Sequence, residues 1–252
     1  RMLGPVPREP LMAAAVSHLR LSARPRVIED LLGGRTVAPA ERPTETALGD
    51  FLDRLAAPEA TPGGGSVAAL AAALAAALAA MVAGLTIGRE RYVTEEARML
   101  AMRGRAEALR QRLQELVRAD AAAFEAVMAA YRLPRDSAGD AARRRDAVQS
   151  ALLAATQVPL DTLAALNDVM GAVVEAATYG NASAASDAGV AGYLGLAAAK
   201  SAALNAEINV LGLRDLEEGD RLRRQAQLAL RDAEQQAEEV ERRIRARMAG
   251  GV

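Results

Sequence analysis

The chain has 252 residues and a mass of 26.3 kDa, enough for one large domain or two small ones with a sizeable core. Hydrophobic residues make up 51% and charged residues 25%, which excludes global disorder, and the net charge of −1 argues against a general nucleic-acid binder. Cysteine is absent and His18 is the only histidine. This excludes disulfides, thiolate nucleophiles, and multi-histidine metal sites or a Ser-His-Asp triad in the main body.

Apolar residues at helical spacing predict an all-α fold, a bundle of long helices. We expect a helical arm over residues 1–34, a linker over 35–47 and one helical domain over 48–252. The predicted helices of this domain span 48–57, 64–88, 94–131 with Thr94 as N-cap, 137–178 with a kink or a new start at Pro159, 187–212 and 216–249. The last helix is highly charged apart from one narrow apolar stripe, formed by Leu222, Ala226, Leu230, Ala233, Ala237, Val240 and Ile244.

Residues 67–87 carry no charge, and the length of this run by itself suits a membrane span. Most of its residues are alanine, which gains little from a lipid environment. Small side chains let neighbouring helices approach closely. We therefore interpret the run as the central helix of the bundle and a candidate subunit interface.

The glycine-rich segment 61–66 (TPGGGS) directly precedes this apolar run. Backbone N–H groups at such a helix start attract anions, and the helix dipole adds to that attraction. The segment is not a P-loop, because no Gly-Lys-Ser/Thr follows. Two interpretations stay open: a ligand site at Gly63, Gly64, Gly65 and Ser66, or an ordinary helix start with Ser66 as N-cap.

A carboxylate interrupts the apolar stripe of the helix predicted over 94–131. The stripe consists of Leu113, Val117, Phe124, Val127 and Tyr131. Asp120 falls on it, three residues after Val117 and four before Phe124. Because a carboxylate that faces a core is costly unless it is paired or functional, Asp120 is a candidate general acid or base. A structural Asp–Arg pair or an edge position is the alternative.

The segment around Asn181 offers a further group of polar side chains. It leads into the helix predicted over 187–212, for which Ser186 or Asp187 is a suitable N-cap. The functional alternative places these polar side chains against a ligand at the start of that helix.

Amides and arginines complete the candidate residues. Asn205 and Asn209 lie one helical turn apart, a spacing that suits either a heteroaromatic ligand or hydrogen bonds across helices. Arg135 follows the turn at Pro134. Arginine suits carboxylate binding, although a solvated basic face is the commoner meaning of an arginine-rich segment.

Taken in order, these motifs resemble the formimidoyltetrahydrofolate cyclodeaminase / methenyltetrahydrofolate cyclohydrolase family. The resemblance covers about residues 48–245 and rests on 62–69 (PGGGSVAA), 85–88 (LTIG), 120–124 (DAAAF), 131–134 (YRLP), 158–160 (VPL), 180–181 (GN), 186–191 (SDAGVA) and 205–209 (NAEIN). In addition, 3–7 (LGPVP) and 27–30 (VIED) make residues 3–32 similar to the end of a glutamate formiminotransferase domain. Because that domain precedes the cyclodeaminase in bifunctional enzymes, it favours the deaminase over the hydrolase.

The resemblance implies an all-helical homodimer that binds tetrahydrofolate derivatives, often polyglutamylated, without a metal or a further cofactor. The implied reaction closes 5-formimidoyltetrahydrofolate to 5,10-methenyltetrahydrofolate with loss of ammonia. Asp120 would move the protons, Asn181 and Asp187 would orient the pterin, and the amides of 63–66 with nearby arginines would hold the folate carboxylates. A formiminotransferase domain or subunit is an expected partner, and nucleic acid and membrane are not.

Some residues depart from the family pattern, and other functions stay open. Arg118 stands where relatives often carry an acidic residue, and a pair with it would leave Asp120 ionised and weaken it as an acid; Ala182, Ser183 and Glu207 also depart. The alternatives to a cyclodeaminase are a methenyltetrahydrofolate cyclohydrolase and a non-catalytic dimeric helical scaffold. The lack of a signal-peptide pattern and of cysteine indicates a cytoplasmic protein.

Overall fold

The computed structural model describes residues 43–249, and within them it contains six α-helices and no strand. The helices α1 to α6 span, in order, Pro43–Ala56, Gly64–Thr86, Glu96–Tyr131, Ala138–Tyr179, Ala185–Val210 and Leu216–Ala249. Short 3₁₀ helices at Glu90–Glu95 and Ala182–Ala184 precede α3 and α5. The predicted all-α fold is confirmed. The predicted arm over 1–34, with His18, lies outside the described residues, and α1 begins inside the segment predicted as a linker.

The alanine-rich helix α2 lies at the centre of the bundle. It packs against α3, α4 and α5, and about half of its residues are buried, most of them alanines. Its length and its mean hydropathy of 2.3 make it the one helix of residues 43–249 that is long and apolar enough to cross a membrane. Because its small side chains let three neighbours pack closely around it, the prediction of a central helix is confirmed.

Helices α2 and α3 run antiparallel, and α3 is the longer of the two. Ser66, in the first turn of α2, contacts Val117 and Asp120 of α3. The remaining 11 residues of α3 therefore extend about 16 Å past the start of α2. This extension packs on the first half of α4 in a small second core, which consists of Val127, Ala130, Val148, Leu152 and Ala155. Along this extension, the face of α3 that elsewhere contacts α2 lies beyond the start of α2 and is not covered by it.

Helix α4 continues through Pro159 without a new start. Pro159 is buried and has no backbone N–H, so the carbonyl of Ala155 lacks its usual donor four residues ahead. The side-chain amide of Asn209 on α5 donates to that carbonyl at 3.0 Å. Of the two interpretations of Asn209, a hydrogen bond across helices is the one that the structure contains.

Helix α6 covers α4 and α5 through its apolar stripe. Leu222, Ala226, Ala233, Val240 and Ile244 are buried, and Leu230 and Ala237 are half-buried against the same core. The helix spans Leu216–Ala249, as predicted. A stripe with steps of three and four residues on an otherwise charged helix was therefore sufficient to place it.

Three predicted N-caps are wrong. Thr94 lies within the 3₁₀ helix that precedes α3. Ser66 is the third residue of α2, whose N-cap is Gly63, and Ser186 and Asp187 lie inside the first turn of α5. Ser66 hydrogen-bonds to another helix, and the turns before α3 and α5 are 3₁₀, so local capping rules misplace these helix starts.

We expect the Asn209→Leu variant to lose about 1–2 kcal/mol of unfolding free energy, because the Ala155 carbonyl then stays buried without a donor. The loss should be smaller when Pro159→Ala restores a backbone donor four residues after Ala155. Urea unfolding followed by circular dichroism on both single variants and the double variant measures the coupling. Additive effects of the two substitutions would contradict this account.

Candidate functional site

Asp120 and Ser66 meet where α3 passes the first turn of α2. Ser66 is fully buried, and its hydroxyl donates to Asp120 Oδ2 at 2.8 Å. The Val117 carbonyl is a second acceptor for the same hydroxyl, at 3.3 Å. Asp120 is half-buried, so one side of its carboxylate is held by the protein while the group remains open to a ligand. A half-buried carboxylate in this setting suits the transfer of a proton.

Gly65 lets this carboxylate come close to α2. A β-carbon built on Gly65 would lie 2.0 Å from Asp120 Oδ1 and 2.6 Å from its carboxyl carbon, so the carboxylate occupies the space that any other residue would fill. The glycine-rich segment is therefore more than an ordinary helix start, because it forms one wall of the Asp120 site.

The start of α2 also supplies a favourable electrostatic setting for an anion. The N-cap residue Gly63 is extended, and no side chain of the described chain caps the helix. The N–H groups of the first turn lack carbonyl partners within the helix, and the helix dipole places positive charge at this end. Negative charge on a ligand is stabilised here.

Of the two asparagines on α5, only Asn205 adjoins this site. Its Nδ2 would lie 3.6 Å from a β-carbon on Gly64, and it donates to the carbonyl of Ser201 at 2.8 Å. Asn209, one turn further, donates to the backbone of α4 as described above. The structure thus brings Gly64, Gly65, Ser66, Asp120 and Asn205 together.

Within the described residues, Arg118 and Asp120 do not form the ion pair that the sequence left open as an alternative. Arg118 is exposed, and within residues 43–249 its guanidinium forms no ion pair with Asp120. Residues two apart on a helix point to different sides, so Arg118 points away from the face that holds Asp120. No group of three or more histidine, aspartate or glutamate side chains able to hold a metal occurs in the described part of the chain.

The predicted ligand residues around Asn181 lie at the opposite end of α2. Asn181 donates through Nδ2 to the Leu85 carbonyl at 3.0 Å and through its backbone N–H to Thr86 Oγ1 at 2.7 Å. Asn181 and Asp187 line an open cleft of about 610 Å³ together with Leu85, Arg89, Glu90, Arg91, Tyr92, Ser183 and Ala184. Since α2 rises about 33 Å over its length, one chain does not bring this cleft to Asp120.

Two further predicted residues lie apart from both the Asp120 site and the cleft at Asn181. Ser186 is exposed and lines a separate groove of about 320 Å³ between α5 and α6. Arg135 is exposed in the turn between α3 and α4, beyond the Asp120 end of α2.

Tyr92, which no sequence motif indicated, helps to build the cleft at the end of α2. Its hydroxyl accepts a hydrogen bond from the backbone N–H of Ala182 at 2.9 Å and so joins the two 3₁₀ helices. The chain has only four tyrosines, and this one lies in a short segment without apolar periodicity. That scarcity was the one available signal, because the contact depends on the tertiary fold.

Comparison with known proteins gives consistent results. Residues 47–228 match the protein family described as formiminotransferase-cyclodeaminase. The chain is 39% identical over 165 residues to a methenyltetrahydrofolate cyclohydrolase of Methylorubrum extorquens, covering 66% of this chain and 79% of that protein. It is 34% identical over 224 residues to the formimidoyltransferase-cyclodeaminase of Sus scrofa, covering 89% of this chain but only 41% of that protein.

A solved structure shares the fold. The crystal structure of a formiminotetrahydrofolate cyclodeaminase from Thermotoga maritima superposes with a TM-score of 0.67 at 32% identity. The match covers 81% of this chain and 96% of that one. Ser66, Asp120, Asn181 and Asn205 all lie inside the family match.

We expect Gly65→Ala to destabilise the protein by about 1–3 kcal/mol, since the new methyl group overlaps the Asp120 carboxylate. Gly64→Ala is the matched control, because its β-carbon meets Asn205 at an ordinary 3.6 Å. Chemical denaturation of both variants measures the difference. In an Asp120→Ala background the penalty at Gly65 should shrink, and an unchanged penalty would contradict the overlap.

Proposed function

The chain belongs to the formiminotransferase-cyclodeaminase family, and from that premise we propose that it cyclises 5-formimidoyltetrahydrofolate to 5,10-methenyltetrahydrofolate with release of ammonia. The observation that carries the proposal is the half-buried Asp120 carboxylate at the start of α2, held by Ser66. The cyclodeaminase-named relatives and the cyclodeaminase crystal structure support this choice of reaction.

Asp120 is the proposed proton carrier. N10 of the substrate attacks the carbon of the formimidoyl group, whose exocyclic nitrogen is protonated, and Asp120 takes the proton that N10 loses as the new carbon–nitrogen bond forms. Asp120 then returns that proton to the exocyclic amine, which leaves as ammonia with the electron pair of its bond to carbon. The methenyl cation remains, so one carboxylate acts first as base and then as acid.

The Ser66 hydroxyl fits both states of this carrier. It donates to Asp120 Oδ2 when the carboxylate is ionised. When Asp120 is protonated, the hydroxyl turns to the Val117 carbonyl, which is already within 3.3 Å. Holding the reacting atoms in attack geometry supplies a further part of the rate enhancement.

A second candidate function is methenyltetrahydrofolate cyclohydrolase. The 39% identity with the Methylorubrum extorquens enzyme favours it. In that reaction water attacks the methenyl carbon and loses both of its protons. One passes through the same carboxylate to the ring nitrogen whose bond to that carbon breaks, and the other is released to solvent. The carbon then remains as a formyl group on the other nitrogen. Both reactions use one site, and they differ in the nucleophile and the leaving group.

We also propose that the protein acts as a homodimer formed through α2. The side of α2 away from its neighbours exposes Val67, Leu74, Met81 and Leu85, spaced at two turns, two turns and one turn. The stripe is uncharged throughout, so a second copy can pack along it. If the two copies of α2 run antiparallel, the Asp120 end of one subunit meets the Asn181 and Asp187 end of the partner subunit.

This antiparallel dimer would bring predicted residues from both ends of α2 to one substrate. Asn181 and Asp187 would orient the pterin, and Asn205 and the amides at Gly63–Ser66 would contact the part of the substrate near N10. Asn209, Ser186 and Arg135 stay predictions as substrate contacts. A cytoplasmic location and a formiminotransferase domain or subunit as partner belong to the same proposal.

The Asp120→Asn variant should lose at least about 100-fold in kcat while keeping its fold, because the amide cannot accept the N10 proton. The assay follows methenyltetrahydrofolate absorbance and ammonia release together with 5-formimidoyltetrahydrofolate as substrate. Asp136→Asn, an exposed aspartate of the α3–α4 turn, is the matched control. A folded and fully active Asp120→Asn would end the catalytic assignment.

The wild-type protein distinguishes the candidate functions in the same assays. Hydrolysis of methenyltetrahydrofolate without deamination of the formimidoyl compound would favour the cyclohydrolase, and activity with neither compound would favour a scaffold.

Leu74→Glu should dissociate the dimer, because the substitution places a charge in the centre of the apolar stripe. Leu228→Glu on α6 is the matched control, since Leu228 is similarly exposed outside this stripe. Sedimentation velocity at several protein concentrations measures the result. A wild-type protein that is monomeric at all concentrations would overturn the dimer.

A further inference from the structure

A side-chain hydrogen bond joins the two short 3₁₀ helices that border the cleft at the end of α2. The hydroxyl oxygen of Tyr92 accepts it from the backbone N–H of Ala182, the first residue of the second 3₁₀ helix, at 2.9 Å. The first 3₁₀ helix, Glu90–Glu95, has no buried residue, and it follows Gly88, whose φ of 72° suits glycine. Because this helix has little packing of its own, the Tyr92 hydroxyl fixes its distance from the second one.

The same bond ties together the two walls of the cleft. Residues 89–92 line one side, and Ser183, Ala184 and Asp187 line the other. Asn181 attaches the second wall to the end of α2 through its two bonds there. Those bonds hold the connection between α4 and α5 on one side, and the bond to Tyr92 holds it on the other. The separation of the two walls therefore depends on Tyr92.

Helical structure connects Ala182 to Asp187 without a flexible segment between them. The 3₁₀ helix Ala182–Ala184 continues directly into α5, which begins at Ala185, and Asp187 lies in the first turn of α5. Five residues of such structure span about 8–10 Å and keep their geometry when one end is displaced. A shift of Ala182 is therefore passed on to Asp187, because no loop absorbs it.

Asp187 is the carboxylate that such a shift would misplace. It is half-buried and lines the cleft, and within residues 43–249 it forms no ion pair, although Arg89 and Arg91 line the same cleft. The side chain of Asn181 is engaged by the protein, since its Oδ1 accepts from the Ser183 N–H at 3.0 Å and its Nδ2 donates to α2. A free carboxylate accepts paired N–H donors of a heterocycle only when its two oxygens are correctly placed.

Resting on the proposed function, we propose that Tyr92 is a positioning residue of the substrate site. Through Ala182 it fixes the first turn of α5, and so it places the Asp187 carboxylate against the N–H groups of the substrate's ring. Tyr92 acts through Asp187 and does not itself contact the substrate. Loss of the bond weakens substrate binding and leaves Asp120, at the other end of α2, unaffected.

The first test measures KM and kcat in the cyclodeaminase and cyclohydrolase assays. Tyr92→Phe should raise KM about fivefold and change kcat by less than about twofold. Tyr193→Phe is the matched control, because Tyr193 is exposed on α5 outside this cleft, and it should behave as the wild type does. An unchanged KM in Tyr92→Phe, or an equal rise in Tyr193→Phe, would overturn the proposal.

A double-variant cycle tests whether Tyr92 acts through Asp187. In an Asp187→Asn background the effect of Tyr92→Phe on KM should largely disappear, because the group that Tyr92 places has been altered. A full fivefold effect in that background would show that Tyr92 contacts the substrate independently and would overturn the positioning role.

Hydrogen exchange measured by NMR gives a readout that needs no activity. In Tyr92→Phe the amide of Ala182 and those of the first turn of α5 should exchange at least about tenfold faster, with exchange around Ser66 unchanged. Unchanged exchange at Ala182, or faster exchange that includes Ser66, would overturn the positioning role. Wild-type protein that acts on neither folate would refute the proposed function, while the exchange rates still report whether Tyr92 fixes the start of α5.

Discussion

The close approach of α3 to the first turn of α2 is the contact on which the candidate site depends. Asp120 Oδ1 occupies the space that a β-carbon at position 65 would fill, and the buried hydroxyl of Ser66 holds the other carboxylate oxygen. This approach requires small residues on α2, and the same requirement continues along the helix as a series of buried alanines. Close helix packing and the Asp120 site both require small residues on α2, which explains why this helix has such a long uncharged sequence.

Helix α2 also sets the distance between the two groups of polar residues. A helix of 23 residues is a rod of about 33 Å, so no side-chain movement joins the Asp120 end to the cleft at Asn181. A different element contacts each end: α3 passes the first, and the segment before α5 contacts the second, where Asn181 bonds to Thr86 and Ala182 bonds to Tyr92. If both ends serve one substrate, as we propose, then assembly of two subunits is a condition for activity.

The sequence was sufficient to predict the helices and to identify Asp120. It was not sufficient to predict that the candidate residues lie at two opposite ends of α2. Helical periodicity depends on local spacing, so α2, α4 and α6 were predicted nearly to their ends, and a carboxylate on an apolar stripe identified Asp120. The Asn209–Ala155 bond and the Tyr92–Ala182 bond join segments far apart in the sequence, and no local rule contains them. Capping rules failed at Ser66 because α2 begins two residues earlier, after the extended Gly63, so that Ser66 lies inside the first turn and its hydroxyl donates to Asp120.

Which of the two proposed reactions the protein catalyses depends on whether water reaches the methenyl carbon. Ring closure with loss of ammonia and hydrolysis of the closed ring both use a carboxylate beside the reacting carbon, so Asp120 alone does not select between them. Asp120 is half-buried, with α2 on one side and the uncovered extension of α3 on the other. Water access to the methenyl carbon therefore depends on what covers that open side. A partner subunit that closes it would protect the methenyl product, and an open side would favour its hydrolysis.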